Sequence, residues 1–447
     1  MKRFEAAYLP IGVPTFHLES AQKAFEDSVS LLKSLSEDVT VPEEMLLSID
    51  KLQSFLDGID PDLLILQNVT FANAAYATEV MHRFPDVPVL LWTLREPVID
   101  GGRLRLNSLT GAYSAANAIR NFHPEPFTYV FGSADEEDVK KDVEAALKTA
   151  RLRYEMKSLK MAAVGHTPQG FGFGRALDLE MMNVFGVRLE SIEARELIDR
   201  AKGFSDEECE EYLSDASARI RGLENTPEKN RRDFARLYKA YMEYVKENGI
   251  SVIASRCWPD FFTSYGTPVC AVLAMLNDRG IAASCETDAY GALSMYMGMK
   301  LSGNAVFFGD PVSMDEKENT ISFWHCGTAA CSLARKDTGA MAGEHCNRHI
   351  GPTLEFGCRP SKRATIFRIG RTPEGSFRFF LSTGEILDRP KQFLGTSLVV
   401  KTDASAEDIV KNSVRDAWEP HFVVIYGDVS KELNILADMF NIEVCRY

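Results

Sequence analysis

The segment DLLILQNVTFANAAYATEVMHRFPDVPVLLWTL, Asp62 to Leu94, decides the fold of the first third of this chain. Its ends, DLLILQ (62–67) and VPVLLWTL (87–94), are unbroken apolar runs of strand length, the pattern of strands buried on both faces. Between them, the stretch from about Phe71 to Arg83 reads as a helix. Strand, helix, strand in so short a span is a parallel β-α-β unit. Upstream, residues 4–13 are extended and apolar, and 20–35 carry Ala24, Phe25, Val29, Leu31, Leu32 and Leu35 at helical spacing. Downstream, a helix over 108–121, a strand over 127–131 and a helix over 135–154 complete a doubly wound α/β domain, residues 1–155.

A second series opens at Leu159, where LKMAAVGH reads as a buried strand running into the loop TPQGFGFG. Gly170, Gly172 and Gly174 let backbone approach a neighbour closely. Their spacing is not the dinucleotide fingerprint, so a flexible loop beside a cleft is expected rather than a phosphate cradle. Helices over 206–223 and 227–247, the second with Thr226 as N-cap and Pro227 as first helical residue, lead into SVIASRCWPD, a strand entering a polar turn. These make a second Rossmann-like α/β domain, residues 156–302. From Ala305 the character changes. Extended stretches at 305–308, 320–325, 364–369, 377–381 and 397–401 are separated by turn residues, which predicts a β-rich C-terminal domain over 303–447. It ends in the strand of HFVVIYGD, a helix over 430–440 and a last short strand.

The 447 residues carry a formal charge of −14, a field that repels polyanions and argues against nucleic acid as a partner. No run approaches the ~18 apolar residues of a membrane span. After Lys2 and Arg3, Glu5 and Pro10 break up any export-signal core. The nine cysteines include no CxxC pair, which fits reduced thiols in a cytoplasmic protein.

Two carboxylates stand out, Glu286 in ASCETDAYGAL and Asp310 in NAVFFGDPVS, each just after an apolar run and separated by one helix and one strand. Taken alone, Glu286 reads as a favourable charge at a helix N-terminus, with Thr287 or Asp288 as the cap. Asp310 alone reads as an Asx turn before Pro311. Together, on the ends of adjoining parallel strands, they would repel each other unless a cation lay between them or one held a proton. His325 (FWHCG) and His421 (EPHFVVIYGD) offer imidazoles to such a cation. His345 and His349, four apart in GEHCNRHIG, could share a helix face and touch substrate. Trp258, beside Cys257 and Pro259, reads equally as a wall against a sugar face or as a packed strand-end residue. Cys285 and Cys326 flank the candidate ligands without an evident activating base, which makes them small buried hydrophobes.

The segment CETDAYGALSMYMGMKLSGNAVFFGD (285–310) resembles the metal-binding core of the L-fucose isomerase and L-arabinose isomerase superfamily. The tail WEPHFVVIYGDVSKELNILADMFNIEVC (418–445) is similar to the closing segment of L-fucose isomerases. The resemblance implies that Glu286, Asp310 and His421 ligate a metal, Mn2+ or else Mg2+ or Co2+, with His325 a loose match to an additional ligand. It also implies a homo-oligomer, trimer or hexamer, whose active sites lie near subunit interfaces. The activity implied is aldose-ketose isomerisation of a free monosaccharide of the L-fucose or L-arabinose type through an ene-diol, with Glu286 and Asp310 moving the protons. The alternative is an isomerase of an anionic modified hexose, such as a sulfonated deoxyhexose of the sulfoquinovose type, with Arg175, Arg256 or Arg359 holding the anion. A different class, a non-catalytic sugar-binding module on two α/β domains, has no account of the carboxylate pair.

Overall fold

Runs such as LLILQN are apolar throughout because the strands they form are covered on both faces. In the computed structural model, which describes residues 2–123 and 126–447, the elements β1 (Ala6–Ile11), α1 (Leu18–Leu35), β2 (Val39–Thr40), α2 (Ile49–Leu56), β3 (Leu63–Asn68), α3 (Ala74–Arg83), β4 (Val89–Thr93), α4 (Ser108–Phe122), β5 (Thr128–Phe131) and α5 (Glu137–Met156) come first. Their strands form one parallel sheet in the order β2-β1-β3-β4-β5. Every residue of β1, β3 and β4 is buried. Phe25, Leu32, Val143 and Ala146 from α1 and α5 build one hydrophobic cluster, and Leu52, Val80 and Ile119 from α2, α3 and α4 build the other. Helix α3 begins at Ala74, later than the sequence suggests, because the Asn73 side chain accepts from Ala75 N and caps it there.

The chain divides into two compact units: the chain up to Glu155 together with Lys431–Ile442, and Met156–Ser430 together with Glu443–Tyr447. The second unit opens with β6 (Lys160–Val164), α6 (Asp178–Phe185), β7 (Arg188–Ile192), α7 (Ala194–Gly203), α8 (Asp206–Arg219), β8 (Ile220–Arg221), α9 (Glu228–Asn248), β9 (Val252–Ser255), α10 (Cys270–Asp278), β10 (Ala282–Cys285) and α11 (Ala289–Ser302). A second parallel sheet runs β10-β9-β6-β7. Pro227 itself occupies the cap of α9 and no side chain caps that helix, so Thr226 lies one residue outside the position the sequence suggests.

The β-rich region follows as β11 (Phe307–Asp315), β12 (Thr320–His325), β13 (Ala340–Gly343), β14 (Thr353–Gly357), β15 (Ser361–Arg371), β16 (Phe377–Ile386), β17 (Thr396–Thr402), α12 (Ala406–Arg415), β18 (Phe422–Tyr426), α13 (Ser430–Phe440) and β19 (Glu443–Arg446). Strands β16-β15-β18-β11-β12-β17 pair antiparallel in that order. A further pairing of β16 with β17 closes them into a barrel, with β19 added to β16 and β14, β13 and β8 extending from β17. The chain is thus mixed α/β with parallel sheets and a β-rich C-terminal region, as the sequence predicts. Helix α13, at the far end of that region in sequence, gives Ile435 to the core of the first unit. Among the described residues no helix is long and apolar enough to cross a membrane.

Candidate active site

Glu286 is held by an unusual turn. Strand β10 ends at Cys285, and the backbone then passes through Glu286 (φ 58) and Thr287 (φ 55), two consecutive non-glycine residues in the left-handed region. Such residues cost on the order of 1–3 kcal/mol each and persist where their surroundings dictate them. Here Thr287 N donates to Ser255 O at 3.1 Å and its hydroxyl to His166 O at 3.3 Å. Asp288 then caps α11, accepting from Gly291 N at 2.9 Å. The capping role therefore belongs to Asp288 and leaves the Glu286 carboxylate free of it.

Asp310 departs from both sequence expectations. It lies inside β11 and not at a strand end, paired with Trp324 of β12, and Pro311 sits in the same strand where the register shifts, so there is no Asx turn. Nor do Glu286 and Asp310 end adjoining parallel strands: β10 belongs to the parallel sheet and β11 to the antiparallel barrel. The two meet at His421. The register Gly309↔Phe422 between β11 and β18 sets the residue before β18 beside Asp310. His421 Nε2 lies 3.0 Å from Glu286 Oε2 and 3.5 Å from Asp310 Oδ1. His325, at the end of β12, has its ring 5.7 Å from that of His421. Ligand atoms of Glu286, His325 and His421 all lie within 4.8 Å of one another.

The electrostatics favour a cation here. Burial works to raise the Glu286 pKa, but the hydrogen bond with His421 and the nearby His325 hold it below its usual range. For Asp310 burial outweighs both imidazoles, the Glu286 charge adds to it, and the pKa is raised. Burial works to lower His421, yet its bonds to Asp288 and Glu286 raise it. His325 is likewise opposed by burial but pushed up to about 10 by Cys326, Asp310 and Glu286. A pocket that raises the pKa of two buried imidazoles stabilises positive charge, and two carboxylates with two imidazoles are a donor set suited to Mn2+, Mg2+ or Co2+.

Several residues escaped the sequence reading. The second face of Asp288 is one: its Oδ2 accepts from His421 Nδ1 at 2.9 Å, which fixes the tautomer and turns Nε2 toward Glu286 and Asp310. Arg368, wholly buried in β15, donates to both Asp288 oxygens at 2.8 and 3.3 Å and to His421 O at 2.7 Å. The pair holds Asp288 far below the ordinary carboxylate range despite burial. The glycine loop is another. It carries Phe171 and Phe173, whose rings stand 6.3 and 5.5 Å from His421, and a Cβ on Gly174 would fall 2.8 Å from Asp288 Cα. The loop is an aromatic wall, and Gly174 is what lets it approach. The only signal in the sequence was the FGFG spacing.

A cavity of about 260 Å3 opens onto this site, lined by Glu286, Asp310 and His325 and also by Trp258, His345, Asn347 and Arg348. Trp258 Nε1 donates to Glu286 Oε1 at 3.1 Å. His345 lines the cavity, but 344–350 forms a turn and not a helix, and His349 is exposed outside it. None of the three arginines suggested for an anion lines it. Arg256 pairs with Asp260 at 2.9 Å, Arg175 donates to Thr167 at 3.4 Å, and Arg359 lies over the Tyr426 ring at 4.5 Å. A larger, mainly apolar cavity of about 630 Å3 beside α12 also touches Asp310 but none of the other three candidate ligands. Cys326 corrects another expectation: its Sγ is 3.4 Å from His325 Nδ1 and 3.8 Å from Cys270 Sγ, so an imidazole does stand beside it. Hydrogen bonds from the Cys270 and Cys285 thiols, with His325, hold its pKa well down. All nine cysteines are free.

No family model matches the chain. A sulfoquinovose isomerase from Clostridium sp. (strain MSTE9) is 63% identical over 443 residues, 99% of this chain and 99% of that protein. Sulfoquinovose isomerases of Priestia aryabhattai and Alkalicoccus urumqiensis are 36% identical over 451 residues and 34% identical over 440, covering 100% and 98% of each pair. Among solved structures, an arabinose-binding periplasmic protein from Shewanella sp. ANA-3 aligns over 58% of this chain and 76% of its own at 15% identity, with a TM-score of 0.16 that carries no argument.

Proposed function

Because the chain belongs to the family of the sulfoquinovose isomerases, and is therefore an aldose-ketose isomerase, we propose that it interconverts sulfoquinovose, a 6-deoxy-6-sulfo aldohexose, with the corresponding 2-ketose through an ene-diol. The relatives favour the anionic-sugar alternative over the neutral L-fucose or L-arabinose reading, and over a non-catalytic sugar-binding module. The observation that carries the mechanism is the meeting of Glu286, Asp310 and His421 at one buried imidazole nitrogen.

Isomerisation removes the proton at C2, stabilises the ene-diol, and returns a proton at C1. Glu286 and Asp310 reach the same cavity from different elements, so that one can take a proton while the other returns it or serves the hydroxyl. Each such transfer contributes ~10²–10⁴-fold when well placed. The Trp258 indole N–H orients Glu286, and Phe171 and Phe173 narrow access to water on the His421 side. A divalent cation, Mn2+ or else Mg2+ or Co2+, held by Glu286, Asp310 and His421 with His325 as a further ligand, would supply Lewis-acid stabilisation of the charge developing on the substrate's O1 and O2. Asp288 and Arg368 keep His421 in the ligating tautomer.

A homo-oligomer, trimer or hexamer, is part of this reading. The free thiols support a cytoplasmic setting. The deciding experiment compares sulfoquinovose with L-fucose and L-arabinose on the Mn2+-loaded protein. The expected result is a kcat/KM at least ~10²-fold higher for the sulfonated sugar; equal or greater turnover of the neutral sugars overturns the assignment.

A further inference from the structure

The cavity that holds Glu286 and Asp310 is lined by one arginine, Arg348, and by no other Arg or Lys among the described residues. Its guanidinium carbon lies 5.4 Å from the Trp258 ring centroid and 4.8 Å from that of Phe262. Among the described residues no carboxylate, carbonyl or hydroxyl partners it, in contrast to Arg256 just across the Trp258 loop, which is tied to Asp260 at 2.9 Å. Aromatic faces hold a guanidinium through its π-cation attraction without consuming its N–H donors. Arg348 is therefore a positioned cation with an unfilled donor fork.

The same indole serves both ends of the problem. Its N–H holds Glu286 at 3.1 Å while its ring holds Arg348. A sugar whose C1 and C2 are at the carboxylates must place its remaining carbons elsewhere in the same small cavity. A sulfonate on C6 is an anion at every physiological pH, entering a protein of net charge −14 through a cavity that already carries two carboxylates. With C1 and C2 at the carboxylates and the metal ligands, that anion needs a cation of its own or it is desolvated unpaired.

We propose that Arg348 binds the sulfonate of the substrate and is the residue that separates 6-sulfo from neutral aldoses. This deepens the sulfoquinovose reading and rests on it. The guanidinium fork matches two sulfonate oxygens, a charge-assisted bidentate contact, and the Asn347 amide on the same cavity lining is available to a third.

The test measures kcat/KM for sulfoquinovose and for its neutral counterpart 6-deoxyglucose in wild type, Arg348→Gln and Arg348→Lys, together with calorimetric binding of sulfoquinovose to metal-stripped protein. The expected result is a ratio of sulfonated to neutral kcat/KM that falls ~10- to 100-fold in Arg348→Gln, carried mainly by KM, with weakened binding to the stripped protein and partial recovery in Arg348→Lys. An unchanged ratio in Arg348→Gln, or an equal loss on both sugars, overturns the assignment of Arg348 while leaving the substrate reading intact. A wild type that does not prefer the sulfonated sugar overturns the substrate reading, and the assignment of Arg348 with it.

Discussion

Asp288→Asn separates what the carboxylate does as a helix cap from what it does for His421. The amide keeps the shape and can still accept from Gly291 N, so α11 should remain capped. What is lost is charge. Arg368, fully buried, then faces only Glu419 at 3.5 Å, and the donor from His421 Nδ1 at 2.9 Å meets an amide that can point either atom toward it. Loss of such an outer-shell carboxylate typically weakens metal affinity 10- to 100-fold, about 1.4–2.7 kcal/mol. Breaking a buried ion pair from one side adds about 3 kcal/mol of destabilisation. The assay is EDTA-competition titration of Mn2+ on stripped protein, with circular dichroism to establish that the variant is folded. Mn2+ affinity within about twofold of wild type in a folded Asp288→Asn protein would refute the argument that Asp288 orients the ligating imidazole.

Gly174→Ala tests the contact between the aromatic loop and Asp288: the added methyl would fall 2.8 Å from Asp288 Cα, a backbone atom that cannot swing away. A loss of about 1–3 kcal/mol in stability and weaker Mn2+ binding are expected, and a variant equal to wild type in both would show that the loop does not hold Asp288. The raised histidines predict a pH dependence. Their protons stabilise the metal-free protein fully below about pH 6.5, and that stability is lost as pH rises through the folded values, about 10 for His325. Metal ligation needs neutral imidazoles, so the gap in melting temperature between Mn2+-loaded and stripped protein should widen from about pH 6.5 to about pH 9, and a constant gap would contradict the direction of both shifts.

The parallel sheet of the first unit was legible because strands buried on both faces leave a signal no other element leaves: β3 and β4 are apolar at every position but the polar residues that end them. The candidate site was legible as residue types and not as geometry. A carboxylate before proline looks like a turn whether or not the strand continues, so nothing local in GDPVS told that β11 runs on to Asp315. Asp288 was hidden by sufficiency, since a helix cap explains an aspartate at that position and asks for no second partner. Arg368 did leave a trace, a charge inside the apolar strand ATIFRIG, which calls for a buried counter-charge. Arg348 left none, because its role depends on which loop faces Trp258, a long-range contact that composition does not encode.

Under the proposed function, Glu286, Asp310 and His421 form a metal-dependent proton-transfer site acting on a sulfonated aldose. Deuterium incorporation from D2O at C1 and C2 of sulfoquinovose and its 2-ketose, followed by NMR, reads out that proton transfer. It is measured for wild type with Mn2+, for wild type in EDTA, and for folded Glu286→Gln and Asp310→Asn. The expected result is exchange in the Mn2+-loaded wild type, its loss in EDTA with recovery on adding Mn2+, and a fall of at least ~10²-fold in either variant. Exchange that continues at the wild-type rate in EDTA or in either variant would contradict it.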